Sequence, residues 1–126
     1  MVPPDSGYGS WGTFELALDS VPHPGWRGHH VRLYAPRGVA RPPAIFFCHG
    51  INASDPRTYL ALLTFLASKG FAVVHAPYGS GGAYTDPPDV YAQLWEGIAG
   101  AVKAWGGRLD TTRIGFVGHS YGGGAV

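Results

Sequence analysis

The segment that most restricts how this chain can fold is Gly118-His119-Ser120-Tyr121-Gly122. It directly follows the apolar run Ile114-Gly115-Phe116-Val117 and leads into Gly123-Gly124-Ala125-Val126. That order predicts a strand, a tight turn and the start of a helix. Glycines two residues before and two after Ser120 remove the Cβ atoms that would collide in such a turn, and the turn holds the serine in a strained backbone conformation. A serine hydroxyl is a poor nucleophile, so it has to stand clear of its surroundings where a base and anion-stabilising donors can reach it. The helix expected behind it would point free N–H groups and its positive end at a developing oxyanion. With 20 glycines in 126 residues, a bare G-x-S-x-G string also arises by chance, so the order of the flanking elements has to decide its meaning. The competing G-x-G-x-x-G dinucleotide pattern is not met, because His119 and Ser120 follow Gly118, and no G-x-x-x-x-G-K-[S/T] phosphate loop is present.

Upstream, residues 1–12 are rich in Pro, Gly and Ser and read as irregular. Alternation over Phe14, Leu16 and Leu18, and again over Val31, Leu33 and Ala35, predicts two antiparallel strands at a sheet edge, joined through Pro22, Pro24 and Gly25. Ala44-Ile45-Phe46-Phe47-Cys48 is continuously apolar, as in a strand covered by helices on both faces, and ends in His49-Gly50-Ile51. Asp55 as N-cap, Pro56 at the first helical position, apolar Tyr59, Leu62, Leu63 and Leu66, and a Lys69-Gly70 stop define a helix. Another apolar strand, Phe71 to Ala76, is followed by a glycine-bearing loop from Pro77 to Thr85. A second helix opens at Asp86-Pro87 and runs to Trp105, with Gly97 and Gly100 inside it either permitting close packing or weakening it. Arg113 to Val117 is the last strand. This alternation predicts a mainly parallel α/β sheet with ligand chemistry at the carboxyl ends of its strands. Both distinctive loops, His49-Gly50-Ile51 and the serine turn, fall there, so two neighbouring strands could each supply one N–H to an anion hole.

Composition narrows the function. Apolar residues make up 45% of the chain and charged ones only 13%, which fits one folded domain. A net charge of +1 without any basic cluster excludes nucleic acid and anionic membranes as expected partners. No apolar stretch approaches a membrane span, and the N-terminus lacks a signal-peptide core, so the sequence as written reads as cytoplasmic unless an earlier start carries an export signal. Cys48, the lone cysteine, excludes an internal disulfide and reads as a buried small hydrophobe rather than a nucleophile. His23, His29 and His30 lack a carboxylate or cysteine at ligand spacing and read as solvated surface residues, with no metal expected. The four Trp and seven Tyr could form a carbohydrate- or lipid-binding surface, but Trp95 and Trp105 fall within the helix pattern and favour core anchors.

Taken together, Tyr34-Ala35-Pro36-Arg37, the His49-Gly50 loop, Leu66 to Val74, Asp110 to Gly115 and Gly118 to Gly124 resemble the α/β-hydrolase superfamily, within it the esterase, lipase and cutinase-like serine hydrolases. The resemblance implies Ser120 as nucleophile and the backbone N–H groups of Ile51 and Tyr121 as oxyanion donors. It implies supporting roles for His49, Gly50, Gly118, Gly122 and Gly123, with His119 bracing the turn, and a small or lipid-like carboxylic ester as substrate without any cofactor. Tyr78, Tyr84 and Tyr121 are expected near the acyl group from their loop positions.

In that superfamily the acid and the histidine follow the nucleophile. Here Asp86, Asp89, Asp110 and all six histidines precede Ser120. The expectation is therefore that residues 1–126 form the N-terminal part of a single hydrolase domain, a fragment with little activity of its own, whose last strand exposes an edge open to self-association. A same-fold acyltransferase, peptidase or cofactor-free haloperoxidase, and a non-catalytic module, share these motifs.

Overall fold

The structure, a computed structural model, describes residues 7–79 and 87–126. Five strands form one sheet: β1 (Leu16–Pro22), β2 (His30–Pro36), β3 (Pro43–Cys48), β4 (Ala72–His75) and β5 (Asp110–Gly118), in the spatial order β1-β2-β4-β3-β5. β1 pairs antiparallel with β2 and β2 antiparallel with β4, while β4, β3 and β5 run parallel. The antiparallel edge pair and the parallel remainder are as expected. With β4 lying between β2 and β3, the chain crosses back over β3 to reach β5.

Helix α1 (Leu60–Ser68) covers one face and α2 (Pro87–Trp105) the other. β3 shows why its sequence is continuously apolar. Ala44, Phe46 and Cys48 pack with Leu94, Ile98 and Ala101 of α2, while Ile45 and Phe47 pack with Leu63 and Ala67 of α1. Each large side chain buried this way contributes about 1.5–3 kcal/mol.

The helix signals hold with local differences. The Asp55 carboxylate caps the Arg57 N–H at 2.9 Å with Pro56 at the start, but the first turn, Pro56–Tyr59, is 3-10 rather than α. Gly70 stops α1 with a φ of +107°, where a side chain would be strained. Gly97 and Gly100 serve close packing. A Cβ on Gly97 would stand 2.7 Å from His23 Nε2 and one on Gly100 2.8 Å from the Pro24 ring.

Several expectations need correction. His23 is buried rather than solvated, because the chain between β1 and β2 folds over α2; its Nδ1 accepts the Gly25 N–H at 3.0 Å. Leu18 is exposed, since no element among the described residues covers that face of the outermost strand, whereas Tyr34 is buried beneath α1. Leu62 also faces solvent, the buried face of α1 being Leu63, Ala67 and Ser68. β5 begins at Asp110, three residues earlier than expected, because a register break between Pro43 and Ala44 lets Asp110 pair before Ile114 resumes the ladder. No helix among the described residues is long and apolar enough to cross a membrane. Tyr84 and Asp86 lie outside the described residues.

Candidate active site

Ser120 follows β5 at the carboxyl end of the sheet, exposed, with a φ of +54°. For a residue with a Cβ this is a strained conformation, and it persists only where neighbouring structure enforces it. Both flanking glycines are sterically required. A Cβ on Gly118 would lie 2.6 Å from the Gly122 carbonyl oxygen, and one on Gly122 would lie 2.1 Å from that of Cys48 and 2.3 Å from that of His49. The His119 N–H donates to the Cys48 carbonyl at 3.1 Å, and the Gly122 N–H closes the turn on the His119 carbonyl at 3.0 Å. Residues Ser120–Ala125 wind as a 3-10 helix rather than the expected α-helix. The three consecutive glycines Gly122 to Gly124 carry low helix propensity and supply no side chains to pack.

The loop after β3 lies against this turn. The Ala53 N–H donates to the Gly50 carbonyl at 3.1 Å, and Asn52 takes a φ of +55°, as the third residue of a type II turn does. The Ile51 N–H stays outside that hydrogen bond and has no acceptor among the described residues. Tyr59 joins the two loops: its hydroxyl accepts the Gly50 N–H at 2.8 Å and sits 3.0 Å from His119 Nδ1. A phenol oxygen can accept twice or accept once and donate once, so the Tyr59–His119 contact serves either tautomer of the imidazole. On the other side, the Tyr91 hydroxyl donates to the Tyr121 carbonyl at 3.0 Å.

His49 is fully buried, and both of its ring nitrogens are occupied. Nδ1 lies 2.7 Å from the Gly50 carbonyl, which only accepts, so Nδ1 carries the proton. Nε2 accepts the Tyr78 N–H at 2.9 Å. Tyr78 stacks on the ring at 3.9 Å and donates its hydroxyl to the His49 carbonyl. Burial lowers the His49 pKa further and fixes the neutral form. His49 therefore shapes the loop and has no lone pair to offer Ser120. Tyr78, expected near an acyl group, is sealed in the same contact and fully buried.

The remaining titratable groups are also placed. Cys48 is buried, and burial pushes its thiol up to about 11, consistent with an inert small hydrophobe. Asp110 binds Thr112 and Arg113 at the far end of β5 from Ser120, which removes it as the serine's acid. His75 on β4 is fully buried with neither ring nitrogen hydrogen-bonded among the described residues, and burial pushes its pKa down to about 3. Sequence reasoning missed both Tyr59 and His75, which it absorbed as apolar positions of a helix and a strand.

No family model matches the sequence, and no curated protein is similar to it in sequence. Solved structures are similar in fold. Esterase B from Lactobacillus rhamnosis superposes with a TM-score of 0.75 at 19% identity, covering 90% of this chain and 38% of the esterase. The same enzyme inhibited by a tributyrin phosphonate gives 0.75 over 87% of this chain. A bacterial heroin esterase gives 0.68 at 23% identity, over 92% of this chain and 38% of its own. The fold is that of the α/β-hydrolases, and the chain spans 38% of the length of these esterases.

Proposed function

We propose that this chain carries the nucleophile and the anion-stabilising loops of a serine hydrolase of carboxylic esters. The observation that carries the reading is Ser120 itself, held at a φ of +54° on a turn whose flanking glycines admit no Cβ, against a loop whose Ile51 N–H has no acceptor among the described residues. In the proposed reaction the Ser120 hydroxyl oxygen attacks the ester carbonyl carbon while its proton passes to a base. The Ile51 and Tyr121 N–H groups hold the oxyanion, the alcohol leaves with that proton, and water then releases the acid. Among the described residues no histidine is placed as that base. His49 is committed at both nitrogens, His75 is sealed in the sheet, and His119 Nδ1 is held by Tyr59. The base and the acid are accordingly proposed to come from polypeptide outside these 126 residues, as are the surfaces that choose among short, lipid-like and polymeric esters. The open side of β5 is proposed to mediate self-association where nothing else covers it.

A fluorophosphonate probe tests the reading on the complete gene product. Stoichiometric labelling that is lost in Ser120→Ala is the expected result. A folded protein that stays unlabelled would instead favour a non-catalytic module of the same fold, and labelling without ester turnover would favour an acyltransferase or peptidase.

A further inference from the structure

The exits of β3 and β4 diverge, one leading into α1 on one face of the sheet and the other into α2 on the opposite face. Crevices at such divergences, outside the carboxyl ends of strands, are where open α/β sheets bind ligands. A crevice of about 490 Å³ lies here, lined by Gly28 and His29 before β2, by His30, Arg32 and Tyr34 of β2, by Pro77 after β4 and by Ser54 to Arg57 after β3.

Its lining is rich in donors and short of acceptors. Asp55, the one carboxylate, is committed to Arg57, with contacts of 3.1 and 3.0 Å from Nε and 2.6 Å from the terminal nitrogen. Arg32 is half-buried, and its guanidinium makes no hydrogen bond or ion pair among the described residues. A second unmatched group lies next to it. His75, directly opposite Arg32 in the β2–β4 register, is fully buried with both ring nitrogens unpartnered among the described residues. Buried polar groups are rarely left unpaired, so a half-buried guanidinium that lines the crevice without a hydrogen bond among the described residues points to a ligand there, while His75 opposite it is sealed off from the crevice. Tyr34, Ser54 and His30 add further polar groups to the same wall.

We propose that this crevice binds a small carboxylate, held by the Arg32 guanidinium with Tyr34, Ser54 and His30 as supporting donors. A single free guanidinium matches the two oxygens of a carboxylate as a fork. Two arginines against one aspartate leave one unit of positive charge on the lining, which suits a monoanion better than a doubly charged phosphate. The site does not depend on Ser120 or on ester hydrolysis.

Titration of the ¹⁵N-labelled complete gene product with sodium acetate, at ionic strength held constant with sodium chloride, reads the site directly. The expected result is saturable movement of the Arg32 Nε–H and of the Ser54 and Arg57 amides. Arg32→Gln should weaken the affinity at least about tenfold, and Arg32→Lys, which keeps the charge but loses the fork, should weaken it less. Arg57→Gln is a solvent-exposed change that releases the Asp55 charge into the crevice. It should weaken acetate even if Arg32→Gln fails to fold. Linear shifts without saturation, equal shifts with chloride, or acetate binding unchanged in Arg57→Gln would overturn the proposal. Tighter saturation of the same residues by inorganic phosphate would overturn the carboxylate assignment.

Discussion

β3 and β5 are parallel neighbours with similarly apolar sequences, yet their surroundings differ. In β3 every residue from Ala44 to Cys48 is buried, because α1 and α2 close over its two faces and β4 and β5 pair its two edges. In β5, Ile114 and Phe116 remain 46% and 42% exposed, and among the described residues only β3 pairs with it. A hollow of about 440 Å³ flanks it on one face and one of about 310 Å³, lined by Trp95, Ile98 and Phe116, on the other. An apolar strand sequence thus states that both faces need cover. It does not state where the cover comes from.

The largest expected effect lies where the two strands meet. Gly122→Ala would drive a Cβ into the carbonyls that end β3, so loss of the fold, or destabilisation beyond about 4 kcal/mol, is expected by chemical denaturation. Gly123→Ala, with nothing nearer than 4.0 Å, is the matched control.

Phe46 and Phe116 stack at 5.5 Å, one on each strand, and test the comparison directly. Phe46→Ala should cost about 3–5 kcal/mol and Phe116→Ala about 1–2. Equal costs would mean that β5 is covered in solution, and a concentration-dependent midpoint for the unmodified chain would identify the cover as a second copy.

His75 probes the covered middle of the sheet. Its pKa of about 3 lies below the 6.5 of an unperturbed imidazole, so as pH falls from 6.5 towards 3 the unfolded chain takes up a proton that the folded chain refuses. Stability is therefore lost towards acid. The His75 share should reach about 2–3 kcal/mol by pH 4.5, at roughly 1.36 kcal/mol per unit. His75→Phe should flatten the stability–pH curve by that amount relative to the unmodified chain, leaving the parallel contributions of His23 and His49 in both. An unchanged slope would show that His75 is solvated.

The smallest effect concerns the hydrogen-bonded link between the two loops. Tyr59→Phe removes the acceptor for Gly50 and the hydrogen bond with His119, at about 1–2 kcal/mol. It should also change the His119 imidazole ¹⁵N shifts. Unchanged shifts in the variant would show that Tyr59 does not bind the ring.

Much of the candidate site was legible in the sequence because it is a matter of local sterics. The positive φ of Ser120, the need for Gly118, the Asp55-Pro56 cap and the Gly70 stop each depend on atoms a few residues apart along the chain or on a turn of fixed shape, whereas the motif marks Gly122 but its steric need comes from the distant carbonyls of Cys48 and His49. Apolar runs likewise marked β3 and β4. Sequence reading failed where a residue's part depends on distant segments. Tyr59 reads as an apolar helix position until His119 and Gly50 meet its hydroxyl, and His23 reads as surface until a loop folds over α2.

What the sequence determined by itself is the order of strands and helices and the strained serine turn, because glycine sterics and apolar periodicity act over a few bonds. Tertiary structure alone decided the rest. It placed β4 between β2 and β3, fixed the tautomer of His49 through Tyr78, set Arg32 opposite His75 with neither side chain hydrogen-bonded among the described residues, and left β5 paired there with β3 alone. These outcomes rest on hydrogen bonds and burial between residues far apart in the chain, and such contacts exist only once the sheet has brought its loops to one end.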